Sequence, residues 1–261
     1  MKTAGSNPWI AHRIEKPEAK LRLFCFPHSG AAANVFRLWG NLLPASVELC
    51  PVQPPGRSTR MAEPTIQSAP ALVLAAVAGL YPELDKPFAF YGHSLGGLIA
   101  FEVARELRRR GGPSPVHLFI SARVAPQLPL TLSPVHDLPQ REFVQQIQER
   151  YNSIHPQLAG DPEVLALVLP TLRADLKVHE TYEYRPEAPL ACPISAFGAE
   201  QDTTVSKAQL EGWRDQTATE FSLQMFPGGH LFIQTEQAAF LAALSGKLAA
   251  LCAALPPAPP K

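Results

Sequence analysis

Short, mostly apolar runs recur along the chain, and segments of helical periodicity separate them. Leu21 to Phe26, Val47 to Val52, Pro87 to Tyr91, Val116 to Ser121, Ile194 to Gly198 and Phe221 to Phe226 are such runs. Mostly apolar runs of this length fit the strands of a covered sheet. Between them, Ala71 to Leu80 has helical character, with Pro70 suited to a first helical turn. Leu98, Ile99, Phe101, Val103, Ala104 and Leu107 fit the apolar stripe of a helix packed on a sheet. The alternation predicts an α/β fold with a mostly parallel central sheet flanked by helices.

One region departs from that rhythm. Residues 134–186 read as largely helical, with candidate helices from Leu138 to Tyr151 and from Pro162 to Tyr184. The region is too long for a crossover helix. Connections of this length are rare without a role, so it is expected to be a helical lid inserted above the sheet. The core is then 1–133 with 187–255, and 256–261, proline-rich, is expected to be a disordered tail.

Composition narrows the partners. Lys and Arg total 23, Asp and Glu total 23, and the net charge is zero across 261 residues. No overall field gathers nucleic acid or an anionic membrane. Arg108-Arg109-Arg110 reads as a cationic last helical turn before a Gly111-Gly112 cap. Cys25, Cys50, Cys192 and Cys252 have no C-x-x-C pairing and are expected to be buried thiols in a reducing compartment. The first twenty residues lack the apolar core of a signal peptide. The most apolar helix, near Phe240 to Leu255, carries Ser245 and Lys247 and reads as too short to span a bilayer. A cytoplasmic, monomeric protein is expected. The eight histidines show no metal-ligand spacing and no phosphate-binding glycine motif occurs, so neither metal nor cofactor is expected.

The chemistry concentrates in Gly92-His93-Ser94-Leu95-Gly96, a G-x-S-x-G sequence between a predicted strand and a predicted helix. This is the nucleophile elbow of α/β-hydrolases, in which a strained turn raises a serine hydroxyl above the sheet. Ser94 then needs a histidine to take its proton and a carboxylate to orient that histidine, in the chain order serine, acid, histidine. Only His230 follows the last predicted strand, in a glycine-rich loop. The acid follows the preceding strand, where Asp202 is preferred and Glu200 is the reserve. His93 adjoins the nucleophile, so its side chain points away from the hydroxyl, and it is read as structural. Two amides must receive the oxyanion. One is that of Leu95; the other belongs to the loop after the first strand, at Ser29 or next at Gly30.

The chain resembles the type II thioesterases that accompany nonribosomal peptide and polyketide synthases. Trp9-Ile10, LRLFCFPHSGAAANVF, VQPPGRSTR, YGHSLGGLIAFEVARELRRRG, LPTLRADLKVHETYEYRPEAPLACPISAFGAEQDTTVS and FPGGHLFI carry the resemblance along nearly the whole chain. It implies a stand-alone hydrolase that removes aberrant or stalled acyl groups from the phosphopantetheine thiol of acyl- or peptidyl-carrier proteins. It places the triad on Ser94, Asp202 and His230, with Leu95 and Ser29 as oxyanion donors, and makes the lid the wall of the acyl pocket. A carboxylesterase or lipase acting on free esters would share the triad. A noncatalytic relative that only binds a ligand would lack a triad member, and none is missing.

Overall fold

Alternate side chains of each apolar run point to opposite sides of one sheet, and both sides are covered. The computed structural model describes residues 7–151 and 162–256. The strands are β1 (Leu21–Phe26), β2 (Val47–Pro51), β3 (Phe88–His93), β4 (His117–Ser121), β5 (Ile194–Ala199) and β6 (Phe221–Phe226). They form one sheet in the order β2-β1-β3-β4-β5-β6, with every strand pairing parallel and an isolated antiparallel bridge between Ile10 and Val52, as expected of a mostly parallel sheet. The order reverses between β1 and β3. The connections leaving the carboxyl ends of β1 and β3 run to opposite faces there, the place where such a sheet forms a cleft.

Helices α1 (Ala69–Leu80) and α2 (Leu95–Arg109) cover one face. Phe24, Phe88 and Phe90 pack there against Val77 and Leu107. The other face carries Leu23, Tyr91 and Phe119 against Trp39, Phe240 and Leu244. Helix α2 ends as its sequence suggests. Gly111, at φ 63°, and Gly112 return their amides to the carbonyls of Arg108 and Leu107.

The insertion contributes α3 (Gln140–Tyr151) and α4 (Pro162–Glu180). Phe143 and Ile147 of α3 meet Leu165, Leu169 and Leu176 of α4 in a small core of their own. Helix α4 stops at Glu180, not at the expected Tyr184. The aromatic residues that prolonged the periodic pattern serve an extended segment instead. Tyr182 donates to Glu102 of α2 at 2.7 Å, and the Tyr184 ring lies 5.3 Å from the Arg105 guanidinium. Part of the expected lid, 152–161, and the tail from 257 onward lie outside the described residues.

Beyond β5 come short α5 (Lys207–Glu211) and α6 (Phe232–Thr235), then α7 (Gln237–Ala254). At 18 residues α7 is long and apolar enough to cross a membrane by length and composition alone, which corrects the expectation that it is too short. In this fold Phe240, Leu241, Leu244 and Leu248 pack its inner side against the sheet. Its polar residues find partners: Ser245 Oγ donates to the Leu42 carbonyl at 3.3 Å and Lys247 Nζ to Ser222 Oγ at 3.0 Å. All four cysteines are free thiols and buried, as expected.

Candidate active site

Ser94 sits between the last residue of β3 and the first of α2, at φ 53° and ψ −117°. A residue with a Cβ rarely adopts a positive φ, so the turn is strained and must be held from outside. The Ser94 amide donates to the Ser121 carbonyl at 2.8 Å, and the Ser94 carbonyl receives the Gly97 amide at 3.0 Å. Two glycines make the geometry possible. A Cβ on Gly92 would overlap the Gly96 carbonyl, and one on Gly96 would overlap the Phe26 carbonyl at the end of β1. The sequence spacing G-x-S-x-G is therefore a packing requirement.

His230 reaches the site from the loop after β6. Its Nε2 lies 3.0 Å from Ser94 Oγ, and its Nδ1 lies 2.8 Å from Asp202 Oδ2. Asp202 comes from the loop after β5, and its other oxygen is saturated. Oδ1 accepts from the Thr204 amide at 2.8 Å, the Thr204 hydroxyl at 2.7 Å and the Val205 amide at 3.2 Å. Burial pushes the Asp202 pKa up, but the His230 ring and the Thr204 bonds outweigh it and hold the carboxyl below its ordinary range. Thr204 Oγ1 also lies 2.9 Å from His230 Nδ1. The structure thus joins Ser94, His230 and Asp202 in one hydrogen-bonded line. Glu200 is exposed and takes no part in that line.

His93 is fully buried. Its Nδ1 meets Ser121 Oγ at 2.5 Å, and its ring packs 5.3 Å from that of His230. Burial and the neighbouring histidines hold its pKa well below the usual value. His28, in the loop after β1, is likewise pushed down to about 4 by burial. Both rings are neutral in the folded protein, while the unfolded chain protonates them near pH 6.5. The unfolded state therefore binds more protons below that pH, and stability falls on acidification. The His28 ring alone should cost about 2 kcal/mol between pH 7 and pH 5, before carboxylates titrate, and the His93 ring adds to the loss in the same direction. Urea midpoints should be clearly lower at pH 5; equal midpoints would place these rings in water.

Leu95 is the first residue of α2, where helix amides lack intrahelical acceptors. Of the two amides considered in the loop after β1, that of Gly30 is already bound to Asp175 Oδ2 at 2.8 Å. Ser29 lines a cleft with Ser94, and its own hydroxyl is buried without a partner. A second cleft, bordered by Arg123 and Glu180, also opens on Ser94 and His230. Tyr151 and His179, from the insertion, border both. The Tyr151 ring stands 5.1 Å from that of His230.

Asp175 is the site residue that sequence reasoning missed. From α4 it forms a buried two-pronged pair with Arg57, at 2.6 and 2.7 Å, while holding the Gly30 amide. Arg57 also donates to the Ala31 carbonyl at 3.0 Å. One carboxylate thus fixes the loop after β1, the loop after β2 and the insertion. An aspartate in the middle of an apolar helix was the available signal. Asp175→Ala should destabilise the fold by about 3–5 kcal/mol, because it strands a buried guanidinium. Denaturant unfolding checks this, and a loss below about 1 kcal/mol would make the pair incidental. Among the described residues, no group of three or more His, Cys, Asp or Glu side chains is arranged to hold a metal ion.

Comparison with known proteins agrees with this geometry. The thioesterase domain family matches residues 21–248. The gramicidin S biosynthesis protein GrsT of Aneurinibacillus migulanus is 40% identical over 227 residues, which cover 87% of this chain and 88% of that one. RedJ, a thioesterase of the prodiginine pathway in Streptomyces coelicolor, superposes with a TM-score of 0.84 at 35% identity, covering 89% of this chain and 92% of its own. The type II thioesterase BorB of the borrelidin cluster superposes at 0.83 with 32% identity, over 93% of this chain and 98% of its own.

Proposed function

The chain belongs to the thioesterase domain family, and from that premise we propose how its residues act and on what. It is a serine hydrolase of the type II thioesterase class that serves nonribosomal peptide and polyketide synthesis. Its substrates are acyl groups, aberrant or stalled, on the phosphopantetheine thiol of carrier proteins. The observation that carries this reading is the line from Ser94 through His230 to Asp202, standing where two clefts meet.

His230 Nε2 takes the Ser94 proton as Oγ attacks the thioester carbonyl. The Leu95 and Ser29 amides receive the oxyanion. When the intermediate collapses, the carbon–sulfur bond breaks, and the thiol leaves with the proton held by His230. Water then gives its proton to the same nitrogen and attacks the acyl ester. The free acid departs and the proton returns to Ser94. Asp202 fixes the histidine tautomer throughout and stabilises its cation. One cleft takes the acyl chain and the other the pantetheine arm, with α3 and α4 as the lid over both.

The test compares hydrolysis of an acyl group on a phosphopantetheinylated carrier protein with that of a simple oxygen ester of the same acid. A clear preference for the carrier thioester, lost in Ser94→Ala, supports the reading. Equal or faster cleavage of the oxygen ester would make the protein a general esterase.

A further inference from the structure

The loop after β4 brings a second unusual side chain to the catalytic cleft. Arg123 is 3% exposed and lines the second of the two clefts together with Ser94 and His230. Its Nε and Nη1 are buried and make no hydrogen bond. A buried guanidinium is normally paired, because an uncompensated charge out of water is costly. The other buried arginines here obey that rule: Arg22 pairs with Glu48, Arg57 with Asp175 and Arg105 with Glu102. Arg123 alone among these four forms no ion pair.

The surroundings hold it in place without neutralising it. The Arg123 carbonyl accepts from Trp213 Nε1 at 2.7 Å, and the preceding Ala122 has a φ of 49°. Two consecutive residues are thus fixed at a strained turn beside the site. Glu180 lines the same cleft, but its oxygens accept from the Val135 and His136 amides and meet the His136 ring. Arg150, also on the cleft wall, adds a further positive charge. The cleft is electrically incomplete as it stands.

We propose that Arg123 is a specificity residue that binds a carboxylate on the acyl chain, so that this enzyme accepts acyl groups bearing an acid function beyond the thioester. The inference rests on the thioesterase reading and sharpens it to a substrate class, the half-thioesters of dicarboxylic acids. A fork of guanidinium donors suits a carboxylate, and a neutral carbonyl would leave the charge uncompensated.

The test uses small pantetheine thioesters, so its outcome does not depend on carrier docking. Malonyl, succinyl and glutaryl thioesters are each compared with the matching ω-amide, which has the same shape without the charge, after subtraction of uncatalysed rates. For at least one chain length, kcat/KM for the acid should exceed that for the amide by roughly 10- to 100-fold. In Arg123→Met that ratio should collapse towards one, and Arg123→Lys should restore part of it. The ratio is internal to each protein, and the wild-type pairs decide alone if the Met variant does not fold. Amides cleaved as fast as acids at every length, or an unchanged ratio in Arg123→Met, would overturn the assignment and leave the thioesterase reading intact. Failure to cleave any pair would overturn both.

Discussion

Ser94→Ala should fold normally and lose thioester hydrolysis, with kcat down by about 10⁴-fold or more. Alanine keeps the Cβ, so the strained turn at φ 53° and its bonds to Ser121 and Gly97 remain. Only the nucleophilic oxygen is removed, and among the described residues no other hydroxyl is hydrogen-bonded to His230 Nε2 to replace it. Residual turnover would come from water attacking a substrate still polarised by the two amides. Unfolding should change little, because among the described residues His230 is the one hydrogen-bond partner of Ser94 Oγ. A variant with more than a tenth of the wild-type rate would place the nucleophile elsewhere.

Asp202→Asn should also damage the triad heavily, lowering kcat by about 10³- to 10⁴-fold. The asparagine amide would present a donor to His230 Nδ1 and leave the ring in the wrong tautomer, with its proton on the nitrogen that must face Ser94. The loss should be smaller than for Ser94→Ala, since an enzyme without the acid retains nucleophile and base. Thr204 complicates the site, because its hydroxyl lies near both Asp202 and His230. Glu200→Gln, on an exposed side chain two residues away, should stay within about twofold of wild type. Parallel single-turnover rates of the two variants check the assignment, and a larger loss in Glu200→Gln would reverse it.

The features readable in the sequence are those written in local pattern. The inner strands were legible because a strand buried on both faces is mostly apolar, edge strand β6 because it follows the same spacing, and the Ser94 turn because its two glycines are sterically required. Asp202 and His230 followed from chain order once the strands were placed. Features that depend on distant partners were not legible. Arg57 and Asp175 are 118 positions apart, and no local rule connects them. Arg123 reads as an ordinary loop arginine until burial removes its water. The aromatic pattern past Glu180 imitated helix, because Tyr182 and Tyr184 face α2 from an extended segment. Composition alone also misjudged the length of α7, whose buried positions are set by the sheet beneath it.

The central claim is that acyl transfer passes through Ser94. Intact-protein and peptide mass spectrometry after rapid acid quench, with an acyl pantetheine thioester in excess, tests it most directly. The account predicts a mass increase equal to the acyl group less one hydrogen, carried on the peptide containing Ser94 and absent in Ser94→Ala. Product formation with no acylated species, at quench times that resolve single turnovers, or an acyl group on a different residue, would contradict it.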